Sequence, residues 1–97
     1  MIGRIADALM HYVYLLHLNN GEIYTGSTQD LRRRIFEHKE GEVTSTKHKR
    51  PVKLIFYEGC LLKSDAKRRE GYLKTTEGKR FLRQQIRDYL ELNRLGP

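Results

Sequence analysis

Residues 12–38 read YVYLLHLNNGEIYTGSTQDLRRRIFEH, and this stretch decides the fold. Residues 12–16 are apolar or aromatic without a break. A run this short, rich in Val and Tyr, reads as a strand, and apolar groups on both sides make it a central one, covered on both faces. Asn19-Asn20-Gly21 is a tight-turn signal, because Asn and Gly adopt positive φ at low cost. Residues 22–25 then return as an antiparallel partner, with Gly26 as the expected end. Ser27 and Asp30 have the spacing of a capping box, so a helix is expected from there to about Glu40, with Gly41 as its stop. At about 100° per residue, Leu31, Ile35 and His38 share one face of that helix. Arg34 lies at the edge of the face, while Arg32 and Arg33 lean toward water.

Downstream, residues 42–51 are polar and read as an exposed basic loop holding Lys47, His48, Lys49 and Arg50. Residues 52–58 alternate as a third strand. Ser64 is the expected cap of a second helix running to about Lys74, on which Ala66, Glu70 and Leu73 share a face. A carboxylate on an apolar face is costly to bury unpaired, so Glu70 requires a cation beside it, an arginine or a metal. Residues 75–78 break the pattern. A third helix then extends to about Leu92, with Leu82, Ile86, Tyr89 and Leu90 as its stripe. Residues 1–9 do not join the pattern; they read as an N-terminal extension, with room for a short amphipathic turn. Residues 10–92 form the domain, and residues 93–97 a frayed tail.

These elements give an α+β fold: one small, three-stranded, largely antiparallel sheet flanked by helices. At 97 residues the chain is one small domain with a thin stability margin. Nineteen Lys and Arg against twelve Asp and Glu leave a net charge of +7, which suits a polyanion such as nucleic acid. No apolar run reaches the roughly 18 residues of a membrane span, and no secretory signal is evident. The single cysteine, Cys60, cannot form an internal disulfide and fits a reducing cytoplasm.

The motifs Tyr12-Val13-Tyr14 and Tyr24-Thr25-Gly26, the helix DLRRRIFEH and the later segment RREGYLK around Glu70 together resemble the GIY-YIG nuclease domain. The likeness is to short single-domain members similar to the N-terminal nuclease domain of the UvrC repair protein, and it covers about residues 11–85. Tyr12 stands where the first motif usually has Gly, and Thr25 in the middle of the second. Lys74 and Thr76 are the nearest matches to a late Asn or Lys of the family.

The resemblance implies a metal-dependent endonuclease that hydrolyses DNA phosphodiester bonds, with branched, nicked or single-stranded DNA as candidate substrates. It implies one Mg²⁺ (or Mn²⁺) held by Glu70, Arg34 on the phosphate, and Tyr14 and Tyr24 near the attacking water. A free phenol is a poor base at neutral pH; a nearby arginine and a metal-bound water would lower its pKa. Tyr14 is the favoured base, and Tyr24 the group that orients phosphate or water. His38, one turn beyond Arg34, has three readings: phosphate support, proton relay, or a hydrogen bond to a tyrosine. Lys47, His48, Lys49 and Arg50 are expected to touch the nucleic-acid backbone without reading sequence. Two other functions compete: a nucleic-acid-binding module without catalysis, and an interaction protein whose partner supplies targeting.

Overall fold

A computed structural model of the chain describes residues 9–95. The N-terminal extension up to residue 8, with its expected amphipathic turn, and the Gly96-Pro97 end lie outside the described residues. Three strands, β1 (His11–His17), β2 (Ile23–Thr28) and β3 (Lys53–Cys60), form one antiparallel sheet in the order β2-β1-β3. Four helices accompany it: α1 (Leu31–Lys39), α2 (Lys63–Leu73), α3 (Thr76–Gln85) and α4 (Arg87–Leu95). A short 3₁₀ turn occupies Lys47–Lys49.

The unbroken apolar run of β1 is central, as its composition requires. Val13, Tyr14, Leu15 and Leu16 are all buried, and they alternate between two cores. Val13 and Leu15 pack with Ala66 and Leu73 of α2, Leu82 of α3, and Ile86. Tyr14 and Leu16 pack on the opposite face with Leu18, Ile35 of α1, and Val52. The β1–β2 turn closes as expected: Gly21 has φ +90°, and the Asn20 side chain accepts from the Glu22 backbone N–H.

Several boundaries differ from the sequence reading. β2 does not end at Gly26 but continues to Thr28, so Gly26 sits inside the strand. Ser27 is therefore a strand residue and not a helix cap. Asp30 caps α1, accepting from the Arg33 backbone N–H at 3.1 Å. Helix α2 begins at Lys63 after Leu62, without a side-chain cap, and Ser64 lies within it. The expected break at residues 75–78 is a helix start instead: Thr75 caps α3 by accepting from the Gly78 N–H. The single last helix is two, α3 and α4, and α4 continues through the start of the expected tail to Leu95.

The basic loop is only partly exposed. Val43 and Thr46 are buried, and the loop is tied to the sheet by the Asn19 N–H on the Lys49 carbonyl at 2.9 Å. Gly41, at φ +79°, stops α1 as expected, and the Arg50 guanidinium lies against it.

Candidate active site

Tyr14 is opposite Gly26, and Tyr24 is opposite Leu16, across the β1–β2 ladder. Residues paired in this way project from the same face, so both phenols lie on the α1 side of the sheet. The Tyr14 ring crosses directly over Gly26. A Cβ at that position would lie 2.5 Å from the Tyr14 hydroxyl and 3.0 Å from Tyr24 Cε1, so only glycine lets the two rings meet there.

Helix α1 brings His38 onto the same spot. His38 is completely buried, and its ring contacts both tyrosines edge-on, with centroids 5.6 Å from Tyr14 and 5.2 Å from Tyr24. Its Nε2 is 2.8 Å from the Tyr14 hydroxyl, and its Nδ1 is 2.7 Å from the Thr46 hydroxyl. Burial, with help from the Arg34 charge, pushes the imidazole pKa down to about 4, so the ring is neutral at physiological pH. A neutral ring has one donor and one acceptor nitrogen. A protonated Tyr14 donating to Nε2 leaves Nδ1–H to donate to Thr46, and the chain of three groups is satisfied.

Burial also pushes the Tyr14 phenol up to about 12; Tyr24 and the Glu70 charge act the same way, and Arg34 opposes them. The sequence reading has a nearby arginine and a metal-bound water together ease Tyr14 toward phenolate, and the protein on its own supplies only the arginine. Arg34 acts in that direction but is outweighed by desolvation. Tyr14 is a neutral phenol, held in one orientation. Tyr24 is half-buried and lines an open groove of about 500 Å³ along β2.

Arg34 is 38% exposed at its side chain and pairs with Glu37 at 3.0 Å. Glu37 also takes Arg33 at 3.3 Å, so it aligns two of the three consecutive arginines. Arg32 is exposed. Of the three, Arg34 alone acts on the tyrosine cluster, as its helical position implied.

Glu70 approaches from elsewhere. Its Oε1 accepts from the Ser27 hydroxyl at 2.6 Å, and its Oε2 from Lys74 Nζ at 3.0 Å; Lys67 Nζ lies 3.5 Å from Oε1. Ser27 is opposite Val13, so it projects from the α2 face. The acid and the tyrosine–arginine–histidine cluster thus start from opposite faces of the sheet. They are neighbours across the free edge of β2, where Gly26 and Ser27 are adjacent, and the Glu70 charge still bears on Tyr14. The candidate residues therefore form a site wrapped around a strand edge. Burial disfavours ionised Glu70, but the Ser27 hydroxyl and Lys74 outweigh it and hold the carboxyl below its usual range.

The required cation beside Glu70 is a pair of lysines, not an arginine. Among the described residues no group of three or more His, Cys, Asp or Glu could hold a metal ion. A lone ionised carboxylate at a strand edge does fit an ion that keeps most of its water, with the two flexible lysine arms displaced. It does not fit an ion demanding several protein ligands.

The basic loop is divided in its roles. Lys47 and His48 are exposed. Lys49 pairs with Glu22 at 3.1 Å, and Arg50 donates to the Lys47 carbonyl at 3.0 Å. The sequence reading missed Ser27, Thr46, Glu37 and Lys67. Glu37 was accessible from its i+3 spacing to Arg34. Thr46 carries no local signal at all.

Comparison with known proteins identifies the family and the fold. The family model described as the GIY-YIG catalytic domain matches residues 10–84. A UPF0213 protein of Staphylococcus epidermidis is 39% identical over 66 residues, covering 67% of this chain and 80% of the relative. A UPF0213 protein of Staphylococcus aureus is 36% identical over 74 residues, covering 75% and 90%. The solution NMR structure of a UPF0213 protein from Bacillus halodurans superposes with a TM-score of 0.52 at 33% identity, covering 78% of this chain and 84% of that one. No helix among the described residues is long and apolar enough to cross a membrane. By motif, by the elements that carry it and by the span of the match, this chain belongs to the GIY-YIG catalytic domain family, a family of nucleases.

Proposed function

We propose that this chain hydrolyses phosphodiester bonds in DNA as an endonuclease, with Mg²⁺ or Mn²⁺ at Glu70. The observation that carries the reading is the assembly around Gly26. Two phenols, a buried neutral imidazole and a half-exposed guanidinium meet on one side of the strand edge, with an ionised carboxylate on the other.

Arg34 is permanently charged and presents a planar fork of N–H groups. It neutralises charge on the non-bridging phosphate oxygens as the phosphorus is attacked. Tyr14, donating its one proton to His38, keeps that proton and offers its oxygen as an acceptor at a fixed point. Of the two phenols, Tyr24 is the one that lines the open groove, so it is placed to take the proton of the attacking water. Glu70, already ionised, is the ligand for the divalent cation. That ion, when bound, supplies positive charge to the departing oxygen. Lys67 and Lys74 stand in for this charge when Glu70 is otherwise unliganded.

The high pKa of Tyr14 and the full set of partners on Glu70 favour one rival, a DNA-binding module without catalysis. The test is nicking of a panel of structured, single-stranded and duplex DNA with Mg²⁺ or Mn²⁺ by the wild type, Glu70→Ala and Arg34→Ala. Each substitution is expected to lower the rate at least about 100-fold, as removal of a charge-stabilising group does. Binding without cleavage by the wild type, or equal residual nicking by all three, overturns the nuclease reading.

A further inference from the structure

The sequence directs attention to Lys47, His48, Lys49 and Arg50 as the backbone-contacting cations. In the structure Arg50 is turned onto its own loop and Lys49 is paired with Glu22. A second set of cations is better placed. On α2, Lys63, Lys67, Glu70 and Lys74 are spaced by four, three and four residues, which puts them within about 60° of one another around the helix. The row spans about 16 Å along the axis, the axial length of about five phosphates on one B-form strand. Helix α3 extends it with Lys79, whose charge also bears on Glu22, and Arg83.

The row faces two hollows on the free edge of β2. One is lined by Tyr24, Lys74, Lys79 and Arg83, with Leu73 and Leu82 as apolar wall and the Glu22–Lys49 pair also among its lining. The other, of about 330 Å³, is lined by His11, Ser27, Lys63 and Lys67. Glu70 lies between them, bonded to Ser27 of one and Lys74 of the other. The Glu70 carboxylate thus sits midway along a cationic track open at both ends; the other carboxylate of the lining, Glu22, is paired with Lys49. A polyanion fits such a track, and an acidic site with cations on both sides suits a chain that continues in both directions.

We infer that the cleaved nucleic-acid strand is seated along the free edge of β2. Lys79 and Arg83 hold its phosphates on one side of Glu70, and Lys63 and Lys67 on the other. The inference rests on the nuclease reading for the meaning of the central acid, but the binding it asserts is measurable without cleavage.

The test uses the full chain and a fluorescein-labelled DNA strand of about 20 nucleotides, with anisotropy read across a salt series in EDTA. Losing two phosphate contacts flattens the slope of log K against log salt by about 1.4 for a single strand. Lys79→Ala/Arg83→Ala and Lys63→Ala/Lys67→Ala are each expected to show this change with an unaltered melting temperature. The charge-matched control Arg32→Ala/Arg87→Ala, exposed cations off the track, is expected to change the slope by less than about 0.5. Flattening by the control equal to that of the two track variants, or no flattening by either track variant, overturns the inference. Flattening by the track variants without any cleavage by the wild type leaves the binding track standing and removes the nuclease reading. Cleavage with unchanged slopes does the reverse.

Discussion

Replacing Gly26 with alanine tests the centre of the site. The added methyl would lie 2.5 Å from the Tyr14 hydroxyl oxygen and 2.6 Å from its Cζ. Ordinary contact begins near 3.4 Å, so the ring or the strand must retreat by about 0.9 Å. Tyr14 is 1% exposed, and its hydroxyl is held by His38 at 2.8 Å, so the ring has little freedom to yield. Overpacking costs about 1–3 kcal/mol, and a buried hydrogen bond broken on one side adds about 1–3 kcal/mol. A loss of about 2–6 kcal/mol in urea unfolding is therefore expected, a large part of the stability of a domain this size. The Tyr14→Phe background should not rescue it, because Cζ remains; Tyr14→Ala should, because the ring is gone. A loss below about 1 kcal/mol, with the His38 ring resonances unmoved, would refute the argument by showing that the edge strand simply swings outward.

Three further outcomes follow from the same coordinates. His38 is neutral in the fold at a pH where the unfolded chain protonates it, so the unfolded state binds more protons there. Stability is full above about pH 6.5 and falls toward pH 4, with about 2 kcal/mol lost between pH 7 and 5; denaturant melts of wild type and His38→Gln check this, the variant losing the slope in that window. Gly78→Ala would drive a methyl into the Tyr72 carbonyl and cost about 3 kcal/mol or more, whereas Gly71→Ala meets open space on a helix and should stabilise by about 0.5–1 kcal/mol; paired thermal melts read the opposite signs. Tyr24→Phe should reduce turnover more than Tyr14→Phe, measured on a cleavable DNA; the reverse order would return the base role to Tyr14.

The parts of this fold that were legible in the sequence are those with local causes. The unbroken run of residues 12–16 reads as a strand covered on both faces, and Asn19-Asn20-Gly21 as a turn. The helical period separated Arg34 from Arg33 before any coordinates. The errors share one cause: a residue type that suits two local roles is assigned by its distant partner. Ser27 and Asp30 have the spacing of a cap, but Ser27 is drawn into β2 by its pairing with Val13 and its bond to Glu70. Gly78 resembles a helix stop, yet it lies inside α3 because the chain there presses on the Tyr72 backbone. Thr46 sits among charges and is fully buried, since the partner it needs, His38, is on α1. The split of the site across the sheet was equally hidden, because it depends on strand order and register.

The alternation along β1 has one more consequence. Each core borrows half of the same four-residue segment, so neither half of the molecule can be excised as an autonomous unit. A fragment ending at Pro51 would retain the hairpin and α1 but leave Val13 and Leu15 facing water, with Ala66, Leu73 and Leu82 gone. Such a piece should stay unstructured alone and gain order only when residues 52–97 are added back in trans, which makes the chain a natural candidate for a split reporter whose halves reassemble through a single shared strand.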